Sequence, residues 1–107
     1  MDNMTRVKKI IEHIDKIIEY TKDFDYESFQ NDELVQDACF MNLTQIGEQA
    51  NNIDDSFIDL HKDIKWKEMK GLRNRIVHDY DGVNMQIIWD TMKKDLPELK
   101  KMLKGII

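Results

Sequence analysis

Proline occurs once in this chain, at Pro97, glycine four times and cysteine once, at Cys39. A β-rich fold needs Gly, Pro or Asn at many tight turns. Their scarcity argues against strands and favours long helices with few connections. A lone cysteine excludes an intrachain disulfide. Cys39 has apolar neighbours at helical spacing and is expected as a small core residue. No apolar run approaches the ~20 residues needed to cross a bilayer. Residues 1–5 lack the basic segment and apolar run of a secretory leader. The expectation is a soluble, cytoplasmic protein with no membrane partner.

Several chemical signatures are also missing. There is no Gly-rich phosphate loop, no Gly-x-Ser-x-Gly elbow and no His-Glu-x-x-His. None of the three histidines, His13, His61 and His78, has a Glu three residues before it, the spacing that builds metal sites in helical bundles. Neither a metal nor a cofactor is expected.

What is present is charge and helical periodicity. The 107 residues suffice for one domain spanning 1–107. The net charge of −5 speaks against a stoichiometric nucleic-acid binder, yet it hides a split. Residues 1–60 hold 5 basic and 14 acidic side chains, whereas residues 61–107 hold 11 and 7. Such a division is ordinarily two solvated faces, and it also suits a polarised surface.

Apolar residues fall at helical spacing. Met4, Val7, Ile11, Ile14 and Ile18 mark a first helix from about Met4 to Tyr20. A polar connection follows, carrying Phe24, Tyr26 and Phe29 and room for one short helical turn. Cys39, Leu43, Ile46, Ala50 and Ile53 mark a second long helix over about 32–53, with Asn31 or Asp32 as its cap. Gly47 sits inside it at a cost of ~1 kcal/mol against Ala, which points to a tight helix crossing. Asp54–Leu60 reads as a short helix. Asp63 is the expected cap of a helix from Ile64 to His78, ended by the Asp79–Gly82 run. Asn84 is the expected cap of a last helix reaching Lys104, bent by Pro97. The fold class is therefore all-α: a bundle of four main helices with one or two short ones.

Candidate chemistry is concentrated in residues 61–80. Lys62, Lys65, Lys67, Lys70, Arg73 and Arg75 outnumber the acids there, and Trp66, Asn74, His78 and Tyr80 lie among them. Cations attract a phosphate chain and an aromatic can stack on a base, so Lys67, Lys70 and Arg75 are candidate RNA contacts. Metal-free RNA cleavage needs a base for the 2′-hydroxyl, donors for the charge at phosphorus and an acid for the leaving 5′-oxygen. Histidine suits the proton steps, and the planar arginine fork suits the phosphate. Arg73 and His78 supply both kinds of group. Five positions apart, they lie about 140° apart on an ideal helix, whereas Asn74 and His78 share a face. A second chain related by symmetry would bring two histidines together as acid and base.

The same stretch resembles the HepT-like family of the HEPN superfamily, whose signature is Arg, a polar residue, three more residues, His, any residue and Tyr. Here that reads Arg73-Asn74-Arg75-Ile76-Val77-His78-Asp79-Tyr80. Asn42–Ala50 resembles the family's second-helix motif, and Ile64–Met69 the approach to its catalytic helix. Val83, Trp89, Leu96, Pro97 and Leu99 resemble its last-helix pattern, so the likeness covers about residues 4–103. Lys65 departs from it, standing where a proline commonly precedes the tryptophan. The resemblance implies a homodimeric, metal-independent endoribonuclease toxin of a type VII toxin–antitoxin system. It implies catalysis by Arg73 and His78 with Asn74 as helper, and silencing by AMP transfer to Tyr80 from an MntA-like nucleotidyltransferase antitoxin. Taken as ordinary residues, His78 would cap a helix C-terminus, Arg73 would be a solvated charge, Tyr80 would pack, and His13 and His61 would be surface or packing groups. A second class also fits: a non-catalytic helical dimer that binds a nucleotidyltransferase or a nucleotide.

Overall fold

The computed structural model describes the backbone of residues 1–79 and 84–107, and the side chains of residues 1–76 and 84–107. All regular structure among them is helical. Helix α1 is Asn3–Thr21, α2 is Tyr26–Gln30, α3 is Glu33–Asn51, α4 is Asp55–Leu60 and α5 is Trp66–Asp79. Helix α6, Met85–Asp90, runs through a π-helical turn at Thr91–Asp95 into α7, Leu96–Lys104.

The starts of α1, α2 and α3 follow from side chains that accept orphan backbone amides. Asp2 takes the Thr5 amide at 2.7 Å and Asp32 the Val35 amide at 3.0 Å. Asp25 and Ser28 form a reciprocal capping box, at 2.8 and 3.0 Å. That box makes the aromatic connection a helix and seats Phe29 in the core, 5.1 Å from the Trp89 ring centre.

Helix α3 packs mainly between α1 and α5, and α7 closes against α1. Val7, Ile10, Ile14 and Ile17 meet Cys39, Leu43, Ile46 and Ala50 in one continuous core. Each large aliphatic side chain removed from water there contributes roughly 1.5–3 kcal/mol. Burial pushes the Cys39 thiol up to about 12, so it stays protonated and inert at neutral pH. At the C-terminal end of α1, Lys93 donates to the Thr21 carbonyl at 3.2 Å while lying 5.1 Å over the Trp89 ring. A cation at that helix end is favourable on electrostatic grounds.

Two expectations are corrected. Asp63 does not start the fifth helix, which begins at Trp66. Ile64 and Trp66 are both buried, and the indole N–H of Trp66 donates to the His61 carbonyl at 2.9 Å. Burying these two side chains turns residues 61–65 into an irregular approach, overriding the local cap. Asn84 precedes α6 without a side-chain capping bond. Pro97 follows a π-helical turn in the last helix. It removes one backbone donor, and the turn before it widens so that the Leu96 amide donates to Thr91 O, five residues back. No helix among the described residues is long and apolar enough to cross a membrane.

Candidate active site

The crossing of α3 and α5 sets the site. A Cβ at Gly47 would stand 3.0 Å from the Arg73 backbone N, 3.2 Å from the Met69 carbonyl O and 3.3 Å from the Arg73 Cβ. Only a hydrogen fits between the two backbones, as the mid-helix glycine implies. One residue further along α3, Glu48 reaches across the crossing. Its Oε1 forms an ion pair with Arg73, 2.9 Å from Nε. The Arg73 side chain remains 59% exposed and that of Glu48 37%. Arg73 is thus a guanidinium that faces solvent in the single chain and is ion-paired to Glu48.

Asn74 is exposed on the next position of α5. Lys67, Lys70 and Asn74 share one line of that helix, at the three- and four-residue spacing of neighbours on a face. Lys67 is exposed and Lys70 half-buried. Arg75 lies on the other flank of α5. There it lines a cleft of about 150 Å³ toward α7, together with Met69, Leu72, Leu99 and the acids Asp95 and Glu98.

The backbone of α5 carries position 78 one helical turn beyond Asn74. The side chain of His78, and Tyr80 altogether, lie outside the described residues, as does the expected helix stop beyond Asp79, where α5 ends. Trp66 is only 4% exposed and hydrogen-bonded through its indole, so it is unavailable for stacking on a base. His13 pairs with Asn42 at 2.8 Å between α1 and α3, and His61 lies 4.7 Å from the Phe57 ring. Both therefore serve packing. No three His, Cys, Asp or Glu side chains converge as metal ligands among the described residues.

A family model described as ribonuclease HepT-like matches residues 10–106. The chain belongs to the HepT-like ribonuclease family. Curated relatives agree along nearly the whole length. A protein of Caldanaerobacter subterraneus subsp. tengcongensis, provisionally named as an RNase, is 36% identical over 94% of this chain and 90% of its own. One from Methanocaldococcus jannaschii with the same kind of provisional name is 38% identical, over 86% and 84%. A Thermococcus cleftensis protein, provisionally named ribonuclease HepT, is 38% identical over 88% and 86%. No solved structure matches the chain.

One residue of this HepT-like site was missed by sequence reasoning. Glu48 lies within the quoted second-helix tract but received no role there. The available signal was its place beside Gly47. At a glycine crossing, the residue next to the glycine is the one near enough to reach the opposite helix.

Proposed function

We propose that this chain is a metal-independent endoribonuclease toxin that works as a homodimer, with Arg73, Asn74 and His78 as its chemical groups. The observation that carries this reading is the solvent-facing Arg73–Asn74 pair, placed on α5 at the family's motif and anchored by Glu48. Arginine stabilises charge on the non-bridging oxygens as the phosphorus becomes five-coordinate. The Asn74 amide is a second donor to the same oxygens. A histidine takes the 2′-hydroxyl proton, the 2′-oxygen attacks phosphorus, and the 5′-oxygen leaves with a proton from an acid. The products are a 2′,3′-cyclic phosphate and a 5′-hydroxyl. One chain offers one histidine in this motif. A two-fold dimer with residues 73–80 near its interface supplies the second. Lys67 and Lys70, on the line of Asn74, lead the strand toward it, and Arg75 reaches it only from the other flank.

The expected result is RNA cleavage that persists in EDTA and stops when the cut-site 2′-hydroxyl is methylated. Activity lost to EDTA and restored by a divalent ion would reject the scheme. A light-scattering mass of one chain in a fully active sample would reject the dimer.

Control by an MntA-like nucleotidyltransferase, in the manner of a type VII system, completes the reading. AMP on the Tyr80 phenol adds negative charge where the RNA phosphate must sit and places a nucleoside in its path, which opposes binding with Arg73 and His78 intact. Co-expression with a neighbouring nucleotidyltransferase is expected to add one or more AMP masses to the parent chain and none to Tyr80→Phe. Inhibition by that partner without modification would leave complex formation as the mode of control.

A further inference from the structure

We infer that Glu48 is a positioning residue for RNA cleavage: it holds the Arg73 guanidinium by Nε, so that the terminal Nη edge is aimed at the phosphate. This inference rests on the proposed ribonuclease reading.

Three observations carry it. The Arg73 side chain is more than half exposed, and a long exposed side chain ordinarily samples many rotamers. Its Nε instead lies 2.9 Å from Glu48 Oε1 in an ion pair that spans two helices rather than one. That geometry exists because Gly47 lets the α5 backbone approach α3, with Arg73 N 3.0 Å from where a Cβ would stand. Glu48 therefore projects from a helix locked at the crossing itself, and Arg73 starts from the backbone atom that makes the crossing.

The chemistry favours positioning over stabilisation. An ion pair this exposed contributes little to folding. A carboxylate beside a phosphate site repels the substrate, so it does not serve RNA affinity. Fixing a guanidinium before substrate arrives does serve the rate, because preorganised donors need no rearrangement in the transition state. An Nε contact engages one of the five N–H donors, and the paired Nη edge is the one a phosphate forks.

The test is steady-state cleavage of a defined RNA by the parent chain, Glu48→Ala, Glu48→Gln and Arg73→Ala, with melting temperatures alongside. For Glu48→Ala we expect kcat to fall on the order of 10- to 100-fold. KM should be unchanged or lower, since a charge that repels RNA has gone, and the melting temperature should move by less than about 8 °C. Glu48→Gln keeps an acceptor at the same reach and should recover most of the rate. Parent-level kcat in Glu48→Ala beside an inactive Arg73→Ala overturns the inference and leaves the ribonuclease reading standing. A loss that appears as raised KM, or one shared by both Glu48 variants with a larger melting drop, also overturns it. Full activity in Arg73→Ala instead removes the ribonuclease site itself, and the role of Glu48 with it.

Discussion

His78→Ala is expected to lower RNA cleavage by roughly 10²–10⁴-fold, the range that a positioned proton-transfer group supplies. Arg73→Ala is expected to lower it by roughly 10²–10³-fold, comparable to the loss of one preorganised donor to a developing oxyanion. The two act on one transition state, so the double variant should fall well short of the product of the single effects. The measurement is single-turnover cleavage of a labelled RNA at saturating protein, which separates chemistry from binding. Folding is monitored by circular dichroism, and neither change should perturb it much. Arg73 is exposed and its ion pair joins two partly exposed groups. Unchanged cleavage by His78→Ala would remove the acid–base scheme, and the non-catalytic dimer would become the better account.

Gly47→Val is expected to be the most damaging small substitution outside the hydrophobic core. A Cβ there meets the Arg73 N at 3.0 Å and the Met69 O at 3.2 Å, both backbone atoms of a helix that cannot yield locally. The two valine methyl groups add to that conflict, so α5 must move away from α3, against which it packs. A loss of about 3 kcal/mol, at the upper end of overpacking penalties, corresponds to a melting temperature lower by roughly 12–20 °C. Activity should fall further than stability alone explains, because the displaced backbone atom belongs to Arg73. Gly71 is the counter-case. Among the described residues nothing lies within 4 Å of a Cβ built there, so Gly71→Ala should gain up to about 1 kcal/mol of helix propensity. Equal melting temperatures for Gly47→Val and the parent chain would refute the crossing argument.

The sequence by itself determined the helices and their order, because the signals involved are local. Apolar spacing at Val7, Ile11 and Ile14, or at Cys39, Leu43 and Ile46, needs only the helical repeat to be read. The cap at Asp32, read as one of two candidates, acts within three residues of its own position. Gly47 announced a crossing because a glycine inside a helix is costly without one. The Arg73-to-Tyr80 motif, read together with matching tracts along the chain, was enough to indicate the family. Other features were decided only by tertiary structure. The start of α5 moved to Trp66 because burying Ile64 and Trp66 outweighed a possible cap at Asp63. Burial also withdrew Trp66 from any stacking role. The π-helical turn reconciles the missing donor of Pro97 with a core on both sides of it. Above all, the pairing of Glu48 with Arg73 joins residues 25 positions apart. No periodicity or cap links them; they meet because one helix crosses another where a side chain is absent, and that is a property of packing.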